Sequence, residues 1–263
     1  TTRSSSFSFF PDRESAHMKA FLVLAFVTLV ASSPAFAQNP ADRSRAATQN
    51  RLGWDYMRTE SWDKAAAAFQ SAIEIDPTFE VPYYGLGRAN MALKQYVAAI
   101  AALTKCRELY QAQVGRQFAN AQEAQRYRQD RITEIDEQIR QVNSMPPSIQ
   151  QQDQLRQLGN HRRDIQDAIT KGVNVNMNAT VPPWVSLSLG SAYFRAGKMT
   201  DAEREYKATI AADNKSGEAH NNLAVVFLET GRFSDALASI NAAKKTGFKV
   251  NPELEKTIRD RAK

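Results

Sequence analysis

Residues Ala219–Ala243 read AHNNLAVVFLETGRFSDALASINAA. Leu223, Val226 and Phe227 recur at helical spacing, the pattern stops at Thr230-Gly231, and Phe233, Leu237 and Ile240 resume it. That is two short amphipathic helices around a glycine turn. Such a hairpin cannot cover its own apolar face, so it requires neighbours of the same build.

The neighbours are in the chain. Gly53 and Gly87 are 34 residues apart, as are Gly190 and Ala224; Ala65 and Ala99, and Ala202 and Ala236, keep the same step. Around these anchors the first unit has Leu52-Gly53, Tyr56, Trp62, Ala65, Phe69, Ala72 and Pro77, and the second has Leu86-Gly87, Tyr96, Ala99, Leu103 and Cys106. The third has Leu189-Gly190, Tyr193, Ala202 and Tyr206; the fourth has Leu223-Ala224, Phe227, Phe233, Ala236, Ile240 and Ala243. A small residue where two helices cross lets the backbones approach while larger side chains fill the grooves beside it.

This set resembles the tetratricopeptide (TPR) repeat, whose signature is Leu-Gly, an aromatic three on, Ala-x-x-x-aromatic-x-x-Ala and a closing Pro. The resemblance implies an all-α fold, a helical solenoid of about four repeats over 46–113 and 183–250. The second unit departs from the pattern, with Asn90 where the aromatic belongs and no closing Pro. The third and fourth also lack that Pro, and Asp213-Asn214 is left to make the turn.

Upstream, Met18-Lys19 and the apolar run Ala20–Ala31 precede Ser32-Ser33-Pro34 and Ala35-Phe36-Ala37. A basic residue, about a dozen apolar residues and a small-x-small site describe a secretory signal peptide, cleaved after Ala37. The run is short of the roughly 20 residues a membrane span needs. Residues 1–37 are therefore expected to be upstream residues and signal peptide, 38–48 a polar tether, and the chain periplasmic or secreted, with no stable membrane span after cleavage. Cys106 is the sole cysteine, so an exported chain would hold no internal disulfide. It stands where the repeat wants a small buried residue.

Between the second and third units the period fails for 69 residues, the 103 from Gly87 to Gly190 less one step of 34. Residues 114–142 are Gln, Arg, Glu and Ala-rich helix formers, with Ile132, Ile135, Ile139 and Val142 three and four apart. Pro146-Pro147 stops that helix, and a second, from about Ile149 to Lys171, carries Leu155, Leu158, Arg162, Ile165 and Ile169. The reading for 114–182 is an antiparallel coiled-coil hairpin and a return loop, its first helix continuing the last helix of the second repeat. Two degenerate repeats are the rival, since 69 is close to twice the period. Asn251-Pro252-Glu253 then opens a capping helix over 251–263, because a solenoid end must cover its last apolar face.

Catalytic constellations are missing from the sequence. His161 and His220 lie in separate segments, no Cys/His cluster has metal-ligand spacing, and no Gly-rich phosphate loop or Gly-x-Ser-x-Gly elbow occurs. Asp201, Glu203 and Glu205 read as cap and exposed-face residues, and no buried carboxylate pair stands out. No enzyme activity, cofactor or metal is expected. The net charge is +6, one of which lies in residues 1–37. The basic residues of the insertion, Arg126, Arg128, Arg131, Arg140, Arg156, Arg162 and Arg163, are interleaved with Glu134, Asp136, Glu137, Asp153, Asp164 and Asp167, so no nucleic-acid partner is expected.

The resemblance implies that the first helix of each repeat lines a concave groove. The face opposite the packing residues holds Asn50, Trp54 and Met57 in the first repeat and Tyr84, Arg88 and Met91 in the second. Trp184, Leu187, Ser191 and Phe194 follow in the third, and Asn221, Val225 and Leu228 in the fourth. Aromatic, Met and Arg side chains on an exposed face are the residues of interface hot spots. The Lys, Asn and Arg pattern of the chaperone-tail carboxylate clamp is absent, since Asn50, Trp54, Gly85, Trp184 and Ser188 stand on these faces. The expected function is an exported scaffold that binds a protein or peptide partner in an aromatic-lined groove, in a cell-envelope assembly. The alternatives are a homo-oligomer joined through the hairpin or solenoid ends, or an accessory subunit of an envelope enzyme or secretion complex. The hairpin would be a second contact surface or a spacer between two halves.

Overall fold

The computed structural model describes residues 40–113, 121–143, 149–170 and 181–263. The signal-peptide reading and the return loop at 171–180 lie outside them. The elements described are all helices. The first repeat is α1 (Pro40–Arg58) and α2 (Trp62–Ile75), the second α3 (Glu80–Ala92) and α4 (Tyr96–Gln113). The insertion gives α5 (Ala121–Asn143) and α6 (Ile149–Thr170). The third repeat is α7 (Pro183–Arg195) and α8 (Met199–Ala212), the fourth α9 (Gly217–Glu229) and α10 (Phe233–Lys245), and α11 (Pro252–Arg261) closes the array.

The four repeat hairpins share one turn. Ser61, Gln95, Lys198 and Arg232 each donate their backbone N–H to the carbonyl five residues back, at 2.8–2.9 Å. The residue before each donor must then be left-handed, the geometry of a helix ended by a 6→1 bond. Glycine stands there in the last two repeats (Gly197 and Gly231, both at φ 74°), but Glu60 (53°) and Lys94 (60°) occupy it in the first two.

Within each hairpin the crossing is set by the small residue. A Cβ on Gly53 would lie 2.6 Å from the Phe69 ring, one on Gly87 2.6 Å from Leu103, and one on Gly190 2.7 Å from Tyr206. Gly85 is packed the same way, against Phe69 from the next repeat's side. In the fourth repeat Ala224 and Ile240, both fully buried, share one cluster with Tyr206, Val226 and Phe227. Phe69 is completely buried and contributes about 2–3 kcal/mol by burial alone. Asp76 and Asp213, at one phase of the repeat, turn the chain between hairpins by accepting the N–H of Thr78 (2.9 Å) and Lys215 (3.0 Å). The turn without proline after the third repeat is therefore made by Asp213.

Repeats two and three stack as direct neighbours although the insertion separates them in sequence. α4 packs on α7, burying Ala99, Leu103, Leu189 and Ala192 in one cluster and Cys106, Tyr110 and Val185 in another. The insertion is thus an excursion from a continuous array and not a spacer between halves. Among the described residues it holds two long helices. α5 and α6 run antiparallel, with Ile132, Ile135 and Ile165 buried between them, Arg162 Nε donating to Asp136 at 2.6 Å and Gln151 donating to the Val142 carbonyl at 2.9 Å.

Three sequence expectations are corrected here. α4 passes Leu109-Tyr110 unbroken, yet α5 does not extend it: Arg131 Nη1 lies 3.4 Å from Tyr110 Oη. Residues 21 apart on one rod would be about 31 Å apart, so the chain doubles back. The expected tether is helical from Pro40, because Arg43 is drawn onto Asp76 at 2.8 Å and over the Phe79 ring at 4.4 Å. Buried carboxylates also occur. Asp76, Glu80 and Glu205 are 7%, 2% and 2% exposed, each held by arginine: Arg43 and Arg131 at the first two, Arg107 at Glu205.

The far end is closed by α11. Pro252 starts it, Asn251 caps it by accepting the Glu253 N–H at 2.8 Å, and Ile258 is fully buried against the fourth repeat.

Candidate functional site: the concave groove

Successive first helices touch one another (α1 with α3, α3 with α7, α7 with α9) while also packing on the second helix before them. The first helices α1, α3, α7 and α9 therefore lie side by side along one face of the array.

Aromatic rings run along the N-terminal half of this surface. Trp54 meets Phe69 edge-on with centroids 5.0 Å apart and Tyr84 at 6.0 Å; Tyr84 meets Trp184 at 4.3 Å, and Trp184 meets Tyr110 at 5.7 Å. These are favourable edge-to-face and tilted contacts. They tie repeats one, two and three together, which corrects part of the expected groove lining. Trp54 and Asn50 are each only 5% exposed. Trp54 is taken up in packing because the ring of Tyr84, one repeat on, lies against it. Met57 is half-buried on the same cluster.

The remaining expected residues are accessible to differing degrees. Tyr84 and Trp184 are half-buried, and Arg88 is exposed, with Nη1 donating to Tyr84 Oη at 3.3 Å. Ser188 also donates to that phenol oxygen, at 3.4 Å. Ser191 donates to the Leu187 carbonyl at 3.1 Å and accepts from Tyr206 Oη at 3.3 Å. Met91 and Leu187 lean on the core clusters of neighbouring repeats, while Asn221 and Val225 are half-buried on α9. Asn221 donates to Asn222 at 3.4 Å. Tyr84, Arg88, Trp184, Ser188 and Ser191 therefore come together across α3 and α7.

A carboxylate joins them that the reading of groove faces passed over. Glu218, in the first turn of α9, is open to solvent on the concave side yet crowded by protein around it. That crowding raises its pKa above the ordinary carboxyl value, and Arg88 partly opposes the rise. Arg88 is itself raised, first by Tyr84 and further by Glu218. Tyr206 is pushed up to about 12, chiefly by burial, with Glu218 adding to the shift and the Ser191 hydrogen bond and Arg195 opposing it. One repeat step of 34 from Trp184 lands on Glu218, so the period itself was the signal that could have found it.

Of the histidines, His220 has its Nε2 3.3 Å from the Asn214 carbonyl, at the turn. Among the described residues no group of three or more His, Cys, Asp or Glu is arranged to hold a metal, and no helix is long and apolar enough to cross a membrane. The side chains brought together here are ring faces, hydroxyls, amides, one cation and one anion.

Two family models, each described as tetratricopeptide repeat, match the chain, over residues 46–79 and 187–248. No curated protein matches it. Among solved structures it is similar to PilW, a widely conserved type IV pilus biogenesis factor, at 15% identity and TM-score 0.38, over 83% of this chain and 86% of that one. It is similar to TTC0263, a thermophilic TPR protein in Thermus thermophilus, at 16% identity and TM-score 0.35, over 82% and 98% of the two chains. A third is YrrB, a TPR protein with an unusual peptide-binding site, at 12% identity and TM-score 0.29, over 82% and 92%.

Proposed function

For a chain that is a tetratricopeptide repeat protein, we propose the role of a protein-interaction scaffold whose concave groove, lined by α3, α7 and α9, seats a segment of a partner protein. The observation that carries this reading is the concave cluster of Tyr84, Arg88, Trp184, Ser188, Ser191, Asn221 and Glu218, which mixes ring faces with donors and acceptors on rigid helices. A peptide needs this combination, since its backbone requires hydrogen bonds and its side chains require apolar seats. The Met18–Ala37 segment supports export, and with it a place in the cell envelope.

Site-specific photocrosslinking in the native envelope tests the reading. Reactive probes at Met91 and Val225, in the groove, are compared with probes at Ala101 and Ala238, on the second helices. A partner caught only from the groove positions supports it. A partner caught only from the second helices sinks it.

A further inference from the structure

Two opposite charges stand on the first helices without pairing to each other. Arg88 stands on α3 and Glu218 on α9, with α7 between them, so they belong to repeats two and four and act across repeat three. Both are exposed. Neither forms an ion pair among the described residues, although half-buried carboxylates elsewhere do: Asp201 with Arg204 at 2.7 Å, Glu203 with Lys207 at 2.6 Å and with Arg232 at 2.8 Å, Glu255 with Lys244 at 2.9 Å. Arg88 donates to a neutral phenol, and Glu218 accepts no hydrogen bond from a side chain among the described residues. On α7, the helix between theirs, Ser188 donates to Tyr84 Oη and Ser191 accepts from Tyr206 Oη.

Resting on the groove reading above, we propose that the occupant is a peptide segment carrying one acidic and one basic side chain, the acid seated on Arg88 and the base on Glu218. A lone anion on Arg88 would be repelled by Glu218, and a lone cation on Glu218 would be repelled by Arg88. A segment with both charges turns each repulsion into attraction and completes two charge-assisted hydrogen bonds in a crowded site, where they are stronger than on open surface. The pair also fixes direction. With Tyr84 beside Arg88 and Trp184 against Tyr84, the acid lies toward the aromatic end of the groove and the base toward α9. Reversing the peptide places like charges together, and that difference is the specificity.

Selection of displayed random peptides of about 12 residues on the full chain, followed by binding of the synthetic winners, decides the matter. The expected winners share an acid and a base at fixed spacing. They lose about tenfold or more in affinity on Arg88→Gln and, separately, on Glu218→Gln. The double exchange Arg88→Glu with Glu218→Arg prefers the same peptides with acid and base exchanged. Both side chains are exposed, and an unchanged melting temperature for each single variant shows that the fold is intact. Winners without the charge pair, or with equal affinity for the Gln variants, overturn this inference and leave the groove reading standing. Failure to recover any groove-binding peptide sinks the groove reading itself.

Discussion

Arg107 on α4 places Nη1 2.9 and 3.0 Å from the two carboxylate oxygens of Glu205 on α8, across 98 residues of sequence. Glu205 is 2% exposed, and its other cation, Arg204, is more distant at 3.4 Å. Removing Arg107 leaves that carboxylate buried and poorly paired. Arg107→Met is expected to cost about 3 kcal/mol, read by urea denaturation, whereas the double variant with Glu205→Gln recovers part of the loss. A single variant as stable as the parent would show that Arg204 suffices.

The left-handed residues at the repeat turns give a stabilising pair. Glu60 and Lys94 hold φ of 53° and 60° at the position that Gly197 and Gly231 fill in the later repeats. Glu60→Gly and Lys94→Gly each relieve steric cost while adding unfolded-state freedom. The expected net gain is about 0.5–1 kcal/mol apiece, and Gly231→Ala should lose about 1 kcal/mol. Calorimetric melting temperatures check all three signs.

At the crossings the sign is reversed. Gly53→Ala and Gly190→Ala would set a methyl 2.6–2.7 Å from the buried rings of Phe69 and Tyr206, neither of which has room to withdraw. Overpacking of this kind costs about 1–3 kcal/mol. Gly159 has nothing within contact of an added Cβ, so Gly159→Ala on α6 is the control and is expected to stabilise its helix by up to about 1 kcal/mol.

The root of the insertion rests on a buried carboxylate. Glu80 takes Arg131 of α5 at 2.8 Å and Arg43 of α1 at 3.7 Å. Arg131→Met should destabilise by about 2–3 kcal/mol and loosen α5 and α6 from the array, visible as faster amide exchange there. Glu80→Gln added to that variant is expected to restore part of the stability. Strict additivity of the two changes would show that the residues do not act on each other.

Acid should loosen the closing helix. Glu255 is held below the ordinary carboxyl value of 4.5 by hydrogen bonds from Lys244 on α10 and Arg259 on α11. A lowered folded-state pKa gives stability that is present above the unfolded value and lost as pH falls through the folded one. Amide signals of α11 should therefore weaken as pH drops below about 4.5, and Glu255→Gln should remove that dependence. An unchanged acid profile in the variant would place the effect elsewhere.

Much of this fold was legible because a repeat states its message several times. The small residue at each crossing, the large one opposite and the turn between them recur in phase, so the hairpins of all four repeats could be read from Gly53, Gly87, Gly190 and Ala224. What a period does not reveal is which of two neighbouring repeats claims a side chain. Trp54 and Arg88 share one phase, yet the Tyr84 ring covers the first and leaves the second open. Glu205 reads as an exposed-face residue because its arginine, Arg107, comes from a distant segment, as Arg131 does for Glu80. The return of α5 toward Tyr110 was hidden for the same reason: helix propensity is local, and a reversal depends on what the helix meets.

The stacking of α4 on α7 also sets an order of assembly. Each pair of repeats is built from contacts close in sequence, which form quickly, whereas the joint between them closes a loop of about 70 residues and loses that entropy before any contact offsets it. In a linear array each unit is stabilised by its neighbours alone. The two halves should then form first and the joint last, and under pulling force the chain should part at that joint. The insertion would reel out as a single long step, while the repeats on either side still hold.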